Sequence, residues 1–443
     1  MGGKKILRRD IIVVYTKHTE EIMRRINFKN EIIRNCTTLL SGTAIAQCVT
    51  FLAYPVIARL FSSEDFGIYT TILSYIDIFV ILSTARYEQA IMTAKSTAEI
   101  SAIVKLCRIL CTTVSIFIAI ATGIILAFSD ATKLDMLMLF IPLLVFFNGQ
   151  YRIYLLLFNK YKEFKHIALS DVVSNISATG LKIGFGLLSL FKVGLPLGTT
   201  LGRIAGNINF WIRLRKIPLP KADKGMIKQM IKTHKNFPLY SMPKDFINSF
   251  SINLPFTLLA IYFDEAFIGL FSMAFTFTFR PMNIINSAYD KVLYERISTK
   301  FLNKQPFMKD ILRFFGYNYL AALPLFVVVF CFAEPILTFL LGNDWGGSAA
   351  YFRYMLPWIF VMLISSSISF IPNIFSTQRT EALLYLILFL VRIGTMAIGI
   401  YLNNFNLAIL LFCISGTVFT LLLTMWYMMQ ILKYEKELKQ IAD

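Results

Sequence analysis

The chain has 443 residues and a net charge of +18, yet only 16% of its side chains are charged while 56% are hydrophobic. Soluble domains of average composition carry about 25% charge, so this apolar excess excludes a soluble multidomain protein, along with collagen-like, disordered and disulfide-scaffold classes. It implies a lipid bilayer as solvent, and 15% aromatic content with 41 Phe suits a lipid-facing surface rimmed by rings.

Residues 1–34 read as a basic tail carrying Lys4, Lys5, Arg8, Arg9, Arg24 and Arg25, held near anionic lipid. Ile11 to Tyr15 is too short for the apolar region of a cleaved signal peptide, and either Met1 or Met23 can be the natural start. Apolar runs long enough for the ~20 residues of a spanning helix follow. The first six lie at about 36–60, 66–93, 103–128, 135–158, 166–188 and 194–212. Six more lie at about 238–261, 267–290, 311–333, 348–372, 382–402 and 407–432, before a short tail at 433–443. The expected fold is an all-α integral membrane protein of about twelve transmembrane helices. The fifth and sixth spans are the least regular, because Asp171, Lys182 and Arg203 interrupt them; Gly180, Gly184, Gly186, Gly198, Gly202 and Gly206 predict close helix packing there.

Loop charge sets the orientation. Of the 44 Lys and Arg residues, 33 fall in tails and loops on one side, and only Lys133 and Lys192 on the other. The second side carries Glu64, Asp65, Asp130, Asp135, Asp264, Glu265, Glu334 and Asp344. Because cytoplasmic loops keep positive charge, both termini are expected in the cytoplasm. The net charge is then a topology signal, and no nucleic-acid partner is expected.

The turn Phe61-Ser62-Ser63-Glu64-Asp65-Phe66-Gly67-Ile68-Tyr69 recurs as Phe263-Asp264-Glu265-Ala266-Phe267-Ile268-Gly269-Leu270-Phe271, an offset of 202 residues. Each copy joins an odd span to the next even one. Two six-helix lobes, 35–212 and 237–432, are therefore expected to repeat in parallel about an axis along the membrane normal, joined by a basic cytoplasmic linker at 213–236.

No C-x-x-C spacing joins the six cysteines, the three histidines lie far apart, and no phosphate-cradling G-x-x-x-x-G-K-[ST] occurs. No metal, cofactor or ATP-driven engine is expected, and no catalytic residue. What remains is charge inside the spans: Arg59, Arg86, Arg152, Lys182, Arg203, Lys244, Arg280, Arg353 and Arg392 against Asp77, Glu88, Asp171 and Asp245. Each cation at a helix centre costs about 2.5–3.5 kcal/mol by insertion scales, so such residues face protein or water. Their excess over acids calls for an anionic ligand. Arg59 and Arg353 lie near the outer face, where they can snorkel. Arg86 with Glu88 and Lys244 with Asp245 can form local pairs near the inner face. Lys182, Arg203 and Arg392 are expected in packing or against lipid headgroups. Arg280, at mid-depth directly before Pro281, is the strongest candidate, and the repeat places it opposite Ile78, next to Asp77. The candidate substrate-binding cations are Arg280, Arg86, Arg59 and Lys244; the candidate ion-coupling acids are Asp77, Glu88 and Asp245.

Three stretches carry a family resemblance: Arg86-Tyr87-Glu88-Gln89-Ala90-Ile91-Met92; Arg280-Pro281-Met282; and Glu334-Pro335-Ile336 through Leu341-Gly342-Asn343-Asp344-Trp345 to Leu356-Pro357-Trp358. Over about residues 30–432 the chain resembles the Wzx-type polysaccharide biosynthesis proteins. These are flippases for lipid-linked oligosaccharides, in the superfamily shared with the multidrug and toxic compound extrusion (MATE) exporters. The resemblance implies a V-shaped central cavity lined by the first, second, seventh and eighth spans and open alternately to each side. It implies movement of undecaprenyl-pyrophosphate-linked oligosaccharide to the outer leaflet for O-antigen, capsule or exopolysaccharide assembly. Membrane lipids, a polysaccharide polymerase and chain-length proteins are the implied partners. Of the cavity cations, the resemblance carries over only Arg86 and Arg280. The alternative, a MATE-like cation-coupled multidrug exporter, would want carboxylates in the cavity, where this chain has an excess of Lys and Arg. An enzyme would want a larger extramembrane site than the longest outer loop, about 333–347, provides.

Overall fold

The computed structural model describes residues 47–128, 137–217, 219–375 and 377–442, and those residues are almost entirely helical. The first half holds α1 (Gln47–Leu60), α2 (Ser63–Thr84), α3 (Thr97–Phe128), α4 (Phe140–Lys160), α5 (Phe164–Leu187) and α6 (Phe191–Leu214). The linker contains α7 (Lys224–Thr233). The second half holds α8 (Met242–Leu258), α9 (Glu265–Leu302), α10 (Met308–Cys331), the short α11 (Ala333–Leu341), α12 (Ser348–Ser365), α13 (Gln378–Tyr401) and α14 (Phe405–Ala442). Every expected span falls on a helix, the first being described only from Gln47. Expected features at residues 1–46 and 129–136, including Cys36, Asp130 and Lys133, lie outside the described residues.

Among the described residues, seven helices are long and apolar enough to cross a membrane on composition alone: α2, α3, α4, α10, α12, α13 and α14. The long helices that miss that standard are α5, α6, α8 and α9, which carry Asp171 and Lys182, Arg203, Lys244 and Asp245, and Arg280. A spanning helix bearing such residues turns them toward protein or water, and α5 and α6 do leave apolar side chains such as Leu169, Ile176, Leu201 and Ile208 on their outer faces.

Several boundaries differ from the sequence expectation, each for a local reason. The second span stops at Thr84, nine residues early, because Ala85 and Arg86 both adopt left-handed backbone (φ 48° and 61°). Left-handed geometry costs about 1–2 kcal/mol for a residue with a Cβ, and no hydropathy pattern reports it. A tight turn at Tyr87–Gln89 and one helical turn at Ala90–Thr93 finish the stretch. In contrast α9 runs on to Leu302 and α14 to Ala442, beyond the apolar run in each case. α9 also passes through Pro281 as one helix; Pro281 has no amide to give Phe277. The tenth span breaks after Ser365 into the turn Ser366–Ile368 and the short helix Ile371–Ile374.

The two copies of the repeated turn meet face to face. Ser62 caps α2 through a reciprocal exchange with Asp65, and Asp264 caps α9 through the amide of Ala266; both place acid where the helix dipole favours it. A Cβ on Gly67 would lie 1.9 Å from the carbonyl oxygen of Glu265, and one on Gly269 would lie 1.7 Å from that of Ser63. Ser63 and Glu265, like Gly67 and Gly269, are 202 positions apart, so the contact is reciprocal under the repeat. A two-fold axis passes between the glycines, and only the absence of side chains lets the backbones approach so closely.

The acidic face, where α2 and α9 begin, is sealed by more than this contact. Trp345, 1% exposed, donates its indole N–H to the carbonyl of Ala58 at 2.8 Å and meets the Phe66 ring edge-on. One buried apolar cluster there joins Tyr54, Ile57 and Phe61 of the first half to Phe256, Phe271 and Trp345 of the second. Within the first half, Gly198, Gly202 and Gly206 pack α6 tightly against α5 at Lys182, Ala178 and Ser170 to Ser174. Gly186 abuts Leu60 and Phe61. Gly180 and Gly184, expected in the same role, face open space.

Candidate functional site

Four helices meet across the halves, in two pairs related by the repeat. α2 runs antiparallel to α8, with Thr71 donating to the Phe256 carbonyl at 3.2 Å and Ser249 to the Asp77 carbonyl at 3.4 Å. The Arg86 Nε lies 2.7 Å from Asp245 Oδ2 at the far end of that run. α9 lies against α1 through Phe277, whose ring is 4.9 Å from Phe51 and 6.3 Å from Tyr54. These are the first, second, seventh and eighth spans.

Midway along this interface the Arg280 guanidinium sits 4.8 Å from the centre of the Tyr54 ring. Arg280 is exposed although its helix packs on α2 and its own guanidinium lies on the Tyr54 ring of α1, and among the described residues no carboxylate pairs with it. A second cation arrives from α5. Lys182 donates to the Tyr69 hydroxyl at 2.7 Å with its ammonium 4.7 Å from that ring. Tyr69 shares a 2.8 Å hydrogen bond with Thr199, whose hydroxyl is in turn donated to the Leu195 carbonyl. The charge of Arg280 acts on both Lys182 and Tyr69, and Tyr54 lies within electrostatic reach of Lys182. The result is two like charges around Tyr54 and Tyr69; the charge of Asp77 also reaches Tyr69, but among the described residues no carboxylate is bonded to either cation. Lys182 therefore turns inward, not toward packing or headgroups as its position in the sequence implied.

A second cluster lies toward the basic end. Arg86 links Asp245 to Glu88, whose Oε1 is 3.4 Å from Nη1. Glu88 is 1% exposed, and its other oxygen is buried without a hydrogen-bond partner. Arg152 of α4 feels the charges of Arg86, Glu88, Asp77 and Arg203. The cations acting on Asp77 are Arg152 and Arg203, not Arg280, so the expected facing of Asp77 and Arg280 is not what forms. Arg203 stacks 4.3 Å over the Tyr151 ring, and Tyr151 donates to Asp171. The acids of the interface thus stand against arginines, while Arg280 and Lys182 stand without one.

Two candidate cations lie apart. Arg59 donates from Nη2 to the Phe339 carbonyl at 3.0 Å, bridging α1 to α11 at the acidic face. Lys244 lines a groove of about 750 Å³ between the starts of α8 and α13, together with Asp245, Arg379 and Glu381. Sequence reasoning gave no role to Arg152 and one in packing or against lipid headgroups to Lys182 and Arg203; Arg203 does pack, on Tyr151, whereas Lys182 reaches Tyr69. The polar interruption of the span pair at 166–212 was the signal that could have placed Lys182 and Arg203, because charge in a span seeks the interior. Among the described residues no group of three His, Cys, Asp or Glu could hold a metal ion.

Comparison with solved structures places this geometry in a known fold. The chain is similar to the lipid II flippase MurJ in an inward closed conformation, with a TM-score of 0.70 over 91% of this chain and 92% of that one at 14% identity. It is similar to an inward-facing multidrug resistance MATE family transporter of the MOP superfamily, with a TM-score of 0.63 over 90% and 99% of the two chains at 12% identity. A MOP superfamily transporter from Pyrococcus furiosus, described as having a binding pocket of reversed polarity, matches with a TM-score of 0.56 over 91% and 96% at 12% identity. At such identities the likeness is one of fold, that of an all-α multi-pass membrane transporter. None of the curated proteins matches the chain by sequence. The family model described as "Polysaccharide biosynthesis protein" matches residues 56–350, and with two thirds of its length so covered the chain belongs to that family.

Proposed function

We propose that the protein is a flippase that carries undecaprenyl-pyrophosphate-linked oligosaccharide from the inner to the outer leaflet of a bacterial plasma membrane. The product would feed O-antigen, capsule or exopolysaccharide assembly, with a polysaccharide polymerase and chain-length proteins acting downstream. In this reading residues 35–212 and 237–432 are two lobes that rock about the Gly67–Gly269 contact, and the basic face, both termini and the linker are cytoplasmic. The observation that carries the proposal is the Arg280–Lys182 pair around Tyr54 and Tyr69, neither cation bonded to a carboxylate among the described residues. Like charges held together in a hollow are stabilised by an anion placed between them, and a diphosphate offers oxygens to both.

The remaining chemistry follows from the solvent. An unaided headgroup would drag two phosphates and many hydroxyls through hydrocarbon, each unpaired polar group costing several kcal/mol. A hydrated hollow keeps the sugars wet while the polyprenyl tail stays in lipid. Arg280 would clamp phosphate in bidentate fashion, a geometry Lys reproduces only in part. Arg86, Asp245, Glu88 and Asp77 would form the latch at the cytoplasmic end, Arg59 the latch at the outer end, and Lys244 a cation at the cytoplasmic mouth. The multidrug-exporter reading lacks support here, because Asp77, Glu88 and Asp245 each stand against an arginine.

The test is complementation of a strain lacking its own flippase. Arg280→Ala is expected to abolish surface polysaccharide while the protein still inserts and accumulates, and Arg280→Lys to retain part of it. Normal polymer from Arg280→Ala at normal expression would place the clamp elsewhere.

A further inference from the structure

The second half holds a charged group that the flippase reading does not use. Arg392, on α13, is 2% exposed. Its Nη1 donates to the Ser251 hydroxyl at 2.9 Å and approaches the Ser251 carbonyl at 3.3 Å, while Nε is buried with no hydrogen-bond partner. The guanidinium carbon lies 4.4 Å from the centre of the Phe412 ring and 5.0 Å from that of Trp358. These contacts take the flat faces of the group and one of its three nitrogens. Beside it opens a cavity of about 410 Å³, which Arg392 helps to line together with Asn248, Ser366, Tyr385 and Thr420. No Asp or Glu lines this space, and the nearby Glu381 accepts a hydrogen bond from Tyr427 at 2.8 Å.

A guanidinium keeps its charge at any biological pH and carries five N–H donors. An unpaired charge in a low-dielectric interior is costly, and buried charges are ordinarily paired. Ring faces and a carbonyl offset part of that cost but supply no counter-charge. The cavity also holds a second unmet group, the Ser366 hydroxyl, buried without a partner in the turn where the helix breaks after Ser365. Broken helices beside a cavity are where membrane proteins place ion sites. A route in exists as well: Asn248, Ser369 and Tyr385 line both this cavity and the groove on the basic face that carries Lys244 and Arg379.

We infer that the cavity beside Arg392 binds a small monovalent anion, a halide or a short carboxylate, held by the Arg392 Nε–H and the Ser366 hydroxyl. The site lies within the second half, away from Arg280, and its existence does not depend on the identity of the transported substrate.

The experiment uses the purified full-length protein in lipid nanodiscs at constant ionic strength, with gluconate, whose five hydroxyls suit the mostly apolar lining poorly, exchanged for chloride, bromide or formate. A saturable rise of a few degrees in the thermal midpoint is expected with the three small anions, since a ligand of the folded state alone stabilises it. Bromide should also quench Trp358 saturably, an effect that Trp358→Phe removes. Arg392→Met should abolish the anion-dependent rise, and Ser366→Ala should weaken affinity about three- to tenfold through the loss of one hydrogen bond. If Arg392→Met does not fold, the Ser366→Ala series still locates the site. Wild-type protein indifferent to exchange of gluconate for chloride, bromide and formate would overturn the proposal, as would an unchanged rise in either Arg392→Met or Ser366→Ala.

Discussion

At the level of single residues, Arg86 at the basic end of the interface and Arg59 at the acidic end join the halves. Arg86 holds Asp245 at 2.7 Å from a left-handed backbone position, φ 61°, and non-glycine residues persist in that conformation only where their surroundings enforce it. The pair is partly exposed, so its coupling is modest. A double-mutant cycle with Arg86→Ala and Asp245→Ala, read by thermal unfolding, should give an interaction of about 0.5–1 kcal/mol. Additive effects would mean that the two residues act independently. Lys182→Met should leave stability near wild type or above it, because it removes one of two like charges, while lowering polymer export. Export at the wild-type level would remove Lys182 from the site. Part of this residue-level picture was legible in the sequence. A charge at mid-depth before a proline singled out Arg280. The turn of Lys182 toward Tyr69 was not legible, because the direction a side chain takes from its helix depends on which neighbour the helix meets, and nothing in the local pattern around Gly180 and Gly184 distinguishes the packed side from the open one.

At the level of elements, the meeting of α2 and α9 is the least tolerant contact in the fold. Alanine at Gly67 or Gly269 would put a methyl group inside the opposing backbone, at 1.9 or 1.7 Å from a carbonyl oxygen. The helices must separate, and overpacking of this kind costs about 1–3 kcal/mol. Gly269→Ala should lower the thermal midpoint and speed labelling of a cysteine at Ala58, buried beneath the seal at 3% exposure. Unchanged labelling would mean that the seal rests on Trp345 and its neighbours and not on the glycines. The repeat behind this contact is readable because Phe61 and Gly67 recur as Phe263 and Gly269 at one offset within similar turns, although the contact itself was not. The element boundaries were less readable. Hydropathy follows the apolar run and so ends α9 near 290, whereas the helix continues past Arg296 and Lys300, both paired with Asp310. Hydropathy also carries α2 through Arg86, since Ala90 and Ile91 beyond the break are as buried as the helix before it.

On the scale of the whole molecule, the charge asymmetry predicts the orientation. A cysteine at Lys224 of α7 should be shielded from an impermeant reagent in intact cells, and one at Lys192, at the start of α6, should react. The reverse would invert the membrane sidedness assigned to every residue. The central claim is that the hollow between the halves takes a diphosphate through Arg280 and Lys182. The most direct measurement is binding of undecaprenyl pyrophosphate to the purified protein by native mass spectrometry, with undecaprenyl monophosphate and a lipophilic cationic dye as competitors. Preferential retention of the diphosphate lipid is expected, weakened at least about tenfold by Arg280→Ala, as loss of one charge-assisted hydrogen-bonding partner implies. Equal binding of the diphosphate lipid by wild type and Arg280→Ala, or preference for the dye, would contradict the account.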